Sequence, residues 1–437
     1  MRSRTTYVYV CLDEGPVPAG RLDVIEDGRN SHAIFQYGNR YVRRPDRVPV
    51  DPAALPLSDI DADSQPFRSA EGFVLFNGIR DAFPDGWGRY LLQKAAGPEN
   101  LDEFDYLVAS DDHRVGALAF GPDPTGGPVR LLPWSKDEIR GEIFNLAELA
   151  EAVDRVQHTD DLGPDLQRLL NAGPSLGGAR PKAATTYKGF PWIAKFSTRD
   201  DTYPVCRAEF AVMRLAQECG LSVPDIEFTD APRSHIYLIQ RFDRVLKDNK
   251  LQRLPYASAL TMLEASELAS HRYSYRDVAA VIRRHGSDPA RDLRELFRRM
   301  AFNILVGNDD DHLRNHAFLF DRRGWRLSPL FDVVPKPRVS ANGSLVLTVG
   351  DKGKEATLAN ALTSASNFGL KRDEAAKLLE ELRAQVSASW QGGLSAAGVS
   401  DKEIARLANS FAEAGRTDWL DNLDRAVESQ AAKKTKT

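Results

Sequence analysis

Residues Asp292–Val306 carry the strongest constraint in the chain: Leu293, Leu296, Phe297, Met300, Ala301, Ile304 and Leu305 recur in steps of three and one, flanked by arginines. An apolar stripe of that width has to be buried, so the segment is predicted to be a core-facing helix. Gly307 ends it, and the chain passes directly into Gly307-Asn308-Asp309-Asp310-Asp311-His312-Leu313-Arg314-Asn315 before an apolar run, Ala317–Phe320. A charge-dense loop is thereby held between two anchored elements.

Elsewhere the periodicity divides the chain. Thr6–Leu12, Gly20–Glu26, Ser31–Tyr37 and Arg40–Arg43 read as a small antiparallel sheet with turn residues between its pieces. Pro45–Pro56 is a breaker-rich connector, and helical patterning follows from Phe73 through Trp87, Tyr90 and Leu91. Gly121–Gly127 cannot hold regular structure and marks the end of an N-terminal unit, 1–125. Beyond a helix around Asn145–Val156, strands are predicted at Ala183–Tyr187 and Trp192–Phe196, a helix at Cys206–Gly220, and strands at Asp225–Phe228 and Ile236–Gln240. From Phe242 onwards the pattern is mostly helical, closing with Arg372–Ser389 and Lys402–Ala414. The fold class is α+β, with further regions at 126–242 and 243–430 and a solvated tail at 431–437.

Composition excludes several function classes. Lys and Arg number 58 against 62 Asp and Glu, a net charge of −4, which is not the polycation of a nucleic-acid binder. With 42% hydrophobic and 27% charged residues the chain is an ordinary globular protein. Its apolar runs fall short of the ~18 residues of a membrane span, and a cytoplasmic location is expected. Cys11, Cys206 and Cys219 form no CxxC pair, so neither a disulfide framework nor a zinc knuckle is indicated.

The loop supplies the chemistry. Asp310 and Asn315 stand five apart, the D-x-x-x-x-N spacing by which a kinase catalytic loop offers a carboxylate to a hydroxyl and an amide oxygen to a metal. Taken alone it could equally be a solvated acidic turn. A hairpin predicted over His316–Phe320 and Trp325–Leu327, turned by Asp321–Gly324, would bring Asp332 beside Asn315 as a second oxygen ligand for Mg²⁺. On the nucleotide side, Ser175–Lys182 is small and glycine-rich; Gly177, Gly178 and Ala179 would let a backbone approach phosphate, although Gly-Gly pairs often mark plain turns. Lys195 interrupts an apolar strand and needs an anion, either bound phosphate or Glu209 on the next helix. The bland alternatives are an edge-strand lysine and a solvated helix glutamate.

In this order, Pro84-Asp85-Gly86-Trp87-Gly88-Arg89, Gly116-Ala117-Leu118, Ser175–Lys182, Phe242-Asp243-Arg244, Asp310–Asn315 and Pro329-Leu330-Phe331-Asp332 resemble the HipA family of bacterial toxin kinases, the toxin half of HipBA-type toxin–antitoxin pairs. The resemblance covers nearly the whole chain. It implies a small N-terminal domain on a two-lobed, protein-kinase-like domain related to lipid kinases, with 126–242 as the N-lobe-like region and 243–430 as a helical C-lobe. It also implies ATP- and Mg²⁺-dependent serine/threonine phosphorylation. Asp310 then matches the catalytic aspartate, Asn315 and Asp332 the metal ligands, and Lys195 the strand lysine on the phosphates. Gln240, Arg241 and Phe242 match the adenine hinge, largely through backbone groups, and Ser175 matches a serine whose autophosphorylation displaces the loop. His312 is expected to be structural. Implied partners are a HipB-like helix-turn-helix antitoxin, DNA mainly through that antitoxin, and a protein substrate such as an aminoacyl-tRNA synthetase. Pro181 and Arg180 depart from the family loop. A small-molecule or lipid kinase, or a corepressor subunit of an antitoxin–DNA complex, are the alternatives.

Overall fold

The computed structural model describes all residues except 58–64, 111, 132–144, 160–162, 233 and 421–437, together with the side chain of Arg29. The expected tail, 431–437, lies outside the described residues. Helices and sheets are mixed, and the chain forms two compact units that it enters and leaves repeatedly.

The first unit comprises Met1–Asp200, Glu227–Ala265 and Ala317–Ser328. Strands β1 (Arg2–Leu12), β2 (Gly15–Glu26), β3 (His32–Tyr37), β4 (Phe67–Arg68) and β5 (Leu118–Gly121) form an antiparallel sheet in the order β4-β3-β2-β1-β5. One expected strand is instead helical. Asn39–Val42 makes a short turn of helix after an extended Gly38, because Tyr41 and Val42 are adjacent apolar residues that must both be buried, which alternation in a strand would forbid. A second sheet, in the order β6-β7-β9-β8, is built from β6 (Lys182–Tyr187), β7 (Phe190–Phe196), β8 (Ile226–Ala231) and β9 (Ser234–Gln240). A single apolar core joins the sheets, from Val8, Leu22 and Phe35 through Trp87 and Leu107 to Ala194 and Leu238.

After Phe242 the chain is less helical than its pattern suggests. A hairpin, β10 (Arg244–Lys247) with β11 (Lys250–Arg253), turns through Asp248 and Asn249, both at positive φ. A three-stranded sheet follows, with β12 (Tyr256–Ser258) against β13 (Ala317–Phe320) and then β14 (Trp325–Leu327). The predicted hairpin after Asn315 is the β13–β14 pair, extended by Ser328 N–H donating to Ala317 O at 2.8 Å.

The second unit, Asp201–Ile226, Ser266–His316 and Pro329–Thr437, is helical. Its central helix, Pro289–Val306, starts with Asp288 accepting from Arg291 N–H and with proline in the first turn, and ends at Gly307 with φ +67°. The stripe residues Leu296, Phe297, Met300, Ala301 and Leu305 are fully buried. Helices Val205–Glu218, Arg372–Ala396 and Asp401–Leu407 lie where helical spacing placed them, the last continuing as a 3-10 turn over Ala408–Gly415. Among the described residues no helix is long and apolar enough to cross a membrane.

Candidate active site

The three consecutive aspartates have three different environments. Asp311 is buried and accepts from the Tyr275 hydroxyl, from Asn303 Nδ2 at 2.7 Å and from His316 Nε2 at 3.0 Å. Burial pushes its carboxyl up, but the His316 charge and the bonds from His316 and Tyr275 outweigh that and hold it below the usual carboxylate range. The same contact, with burial as the larger cause, raises the Tyr275 phenol well above its ordinary value. Asp311 is therefore a structural post, tying the loop to the Pro289–Val306 helix through Asn303.

Asp310 keeps its side chain 60% exposed and pairs with Lys336, whose Nζ is 3.2 Å from Asp310 Oδ2 and 3.2 Å from Asp309 Oδ1. Partial burial alone would lower the Lys336 ammonium, yet the two carboxylates raise it. Arg338 Nε lies 3.9 Å from Asp309 Oδ2. Asn315 is nearly buried, and its Nδ2 donates to the Asp310 carbonyl oxygen at 3.3 Å, so the two residues of the D-x-x-x-x-N spacing are in direct contact. His312 Nδ1 is buried and accepts or donates no hydrogen bond to any described residue. Asp332 adopts φ +61°, in the left-handed region where a short polar side chain is tolerated, and Leu330 N–H donates to Ser222 O at 2.7 Å on the approach to it.

The residues expected on the phosphate side lie in the first unit. Lys182 and Lys195 are direct cross-strand partners in β6 and β7, so both side chains stand on one face of that sheet. Lys195 Nζ is 5.8 Å from the Tyr237 ring centroid, and Lys182 Nζ donates to Gly177 O. Ser175 is fully buried, and Gly178 has φ +96°, a conformation that a side chain would strain. Pro181 costs the loop an N–H, yet its carbonyl accepts from Phe196 N–H at 3.1 Å, so the proline caps the β6–β7 ladder. At the expected hinge, Gln240 ends β9. The N–H of Arg241 donates to Pro191 O at 3.0 Å, and its guanidinium binds Asp243, His113 O and Arg114 O. That N–H is thus committed to the sheet and not to a ligand. Glu209 is 1% exposed, so it is not a solvated helix face, and it lies in the second unit whereas Lys195 lies in the first.

Asn315 and Asp332 offer an amide and a carboxylate oxygen, the hard donors that suit Mg²⁺. The bond from Asn315 Nδ2 to the Asp310 carbonyl leaves the amide oxygen as the acceptor a cation needs. Among the described residues no group of three or more His, Cys, Asp or Glu side chains could hold a metal ion. Lys336 and Lys182 escaped sequence reasoning as site residues. Their only signals were a cation between Pro335 and Pro337 just after Asp332, and the place of Lys182 opposite Lys195 once the strands are paired.

Residues 9–121 match the HipA N-terminal domain and residues 174–390 the HipA-like C-terminal domain. The Sinorhizobium fredii protein Y4mE is 27% identical over 321 residues, covering 65% of this chain and 69% of that protein. The serine/threonine-protein kinase toxin HipA of Shewanella oneidensis is 24% identical over 280 residues, covering 57% of this chain and 60% of the toxin. A chain in the solved complex of HipA, HipB and operator DNA from Shewanella oneidensis MR-1 superimposes with a TM-score of 0.63 at 16% identity, over 96% of this chain and 98% of that one, and so shares its fold. With both domains matched in order along the sequence, the chain belongs to the HipA family.

Proposed function

We propose that the chain is an ATP-dependent serine/threonine protein kinase and the toxin of a type II toxin–antitoxin pair. The observation that carries this reading is the division of labour among the aspartates: Asp311 is locked by three donors, while the Asp310 carboxylate is largely exposed beside Lys336 and its backbone carbonyl accepts from Asn315.

Asp310 accepts the proton of the substrate hydroxyl as its oxygen bonds to the γ-phosphorus and the bond to ADP breaks. Lys195, Lys182 and the Ser175–Lys182 backbone take the phosphates, and Lys336 stands beside Asp310 to offset charge on the transferring group. Gln240, Arg241 and Phe242 border the adenine, with Arg241 acting through its carbonyl since its N–H is used. Glu209 is the candidate orienting partner of Lys195. Mg²⁺ held by Asn315 and Asp332 would supply charge neutralisation at the phosphate oxygens. Ser175 is the candidate autophosphorylation site. Because it is fully buried, its modification requires the loop to leave, and a phosphoserine's charge of roughly −1.5 to −2 would oppose its return.

A HipB-like antitoxin is the proposed partner, supported by the composition of the solved complex with the same fold, and DNA contact would run mainly through it. An aminoacyl-tRNA synthetase is the proposed substrate class. Incubation of the purified chain with radiolabelled ATP and cell extract tests the reading. Label should enter one or few proteins on Ser or Thr, and Asp310→Ala and Asp332→Ala should each lower incorporation by a factor of about 10³ or more with the fold intact. Full activity in either variant would remove the site assignment, and label confined to small molecules or lipid would favour the other kinase class.

A further inference from the structure

The Pro84–Arg89 segment has no role in the chemistry above, yet all four of its central residues close on the Ser175–Lys182 loop and its approach. Asp85 caps the Gly86–Ala96 helix by accepting from Gly86 N–H at 2.8 Å, and its other carboxylate oxygen accepts from Gly178 N–H at 3.1 Å. Trp87 N–H donates to Gly178 O at 3.2 Å, so the same glycine is held at both its donor and its acceptor. The Trp87 indole is buried and its Nε1 donates to Lys182 O at 3.0 Å, fixing the loop where it enters β6. A Cβ at Gly86 would sit 3.0 Å from the Ala179 Cα, and a Cβ at Gly88 would collide with the Pro174 carbonyl oxygen. Arg89 anchors the segment from behind, paired to Glu103 at 2.8 Å and stacked over Phe83 and Tyr106 at 4.8 and 4.7 Å.

We propose that Pro84–Arg89 is a latch: Asp85, Trp87 and the two glycines position the Ser175–Lys182 loop in its closed form and thereby set its affinity for the phosphates of a nucleotide. The proposal rests on the reading of that loop as the phosphate loop. Its physical basis is that the hydrogen bonds from Asp85 and Trp87 run to loop backbone at Gly178 and Lys182, and that Gly86 and Gly88 allow close approach at Ala179 and Pro174. A glycine-rich loop without such partners pays a large ordering entropy before it can bind, and a preorganised one does not. These are positioning residues, because they act on the ligand only through the loop.

The test uses the full chain with Asp85→Asn, which keeps shape and loses half of the charged acceptor pair, and Gly88→Ala, which forces Pro174 away. Calorimetric titration with ATP and with adenosine, and hydrogen exchange over residues 174–183, are measured on each. The wild type should bind ATP more tightly than adenosine. In both variants adenosine affinity should hold within about twofold, ATP affinity should fall by about tenfold or more, and exchange over 174–183 should accelerate. Wild-type ATP affinity and wild-type exchange in both variants would overturn the latch, as would equal losses for ATP and adenosine in Asp85→Asn. A wild-type chain that binds ATP no better than adenosine would instead remove the phosphate-loop reading, and the wild type alone tells these failures apart.

Discussion

At the scale of single residues, three adjacent carboxylates differ by what surrounds them, and the difference is measurable. Removing Asp311 strands the Tyr275 hydroxyl, Asn303 Nδ2 and His316 Nε2 in the interior. Asp311→Ala should therefore lower unfolding free energy by about 3 kcal/mol. Asp310→Ala removes only a largely exposed pair with Lys336 and should change it by less than about 1 kcal/mol. Urea titration of both variants measures the contrast, and equal costs would contradict it. Spacing in the sequence singled out Asp310 because it stands five positions before Asn315. It said nothing of Asp311, whose partners Tyr275 and Asn303 lie 36 and 8 residues away.

At the scale of elements, the loop's position depends on how the Pro289–Val306 helix stops. Gly307 closes it at φ +67°, and a Cβ there would lie 2.6 Å from Ser410 O and 2.8 Å from Ser410 Cα. Gly307→Ala combines left-handed strain with a backbone clash, for an expected loss of about 2 kcal/mol or more in thermal or urea unfolding. Phosphate transfer should fall further than stability predicts, since the displaced residue precedes Asp310 by three. The periodic helices and the β13–β14 hairpin were legible because each is a local pattern between breakers. Arg40–Arg43 reads as strand but forms a turn of helix, and the strands within 244–258 do not stand out from a mostly helical stretch, because short runs carry little periodicity and tertiary burial of Tyr41 and Val42 decides the first of them.

At the scale of the whole molecule, one buried charge network ties distant stretches of the first unit together. The Asp243 carboxylate accepts from Arg241, from Arg244 and from Gly116 N–H, while Arg244 and Arg253 donate to carbonyls of Arg114 and Gly116. Burial pushes the Asp243 carboxyl up, but the two guanidinium charges and their bonds hold it well below its ordinary value of 3.8. Arg244 is pushed down to about 9, by burial first, with the neighbouring Arg241 and Arg253 charges adding to it. Asp243→Asn leaves two arginines in the interior without their counter-charge and should cost about 3–5 kcal/mol. Since the folded pKa lies below the unfolded one, the Asp243 contribution is complete above the unfolded value and is lost as pH falls below it. Thermal scans between about pH 6 and pH 3 should show the gap between wild type and Asp243→Asn closing toward the acid end. A gap that stays constant would mean that the carboxylate charge does not stabilise the network. Asp51, raised by burial to about 6, works in the opposite sense, so the difference between the two proteins is the informative quantity.

Sequence by itself determined the α+β class, the amphipathic helix and the hairpin after Asn315. All of these are written in local spacing, where neighbours along the chain are also neighbours in space. Only the tertiary structure decided which aspartate is open, that Lys336 faces it, that Lys182 stands beside Lys195, and that Pro84–Arg89 grips a loop some ninety residues later. Those contacts join stretches far apart in the chain, and burial assigns each its environment: the same carboxylate is a structural post when three donors enclose it and an open acceptor when water reaches it.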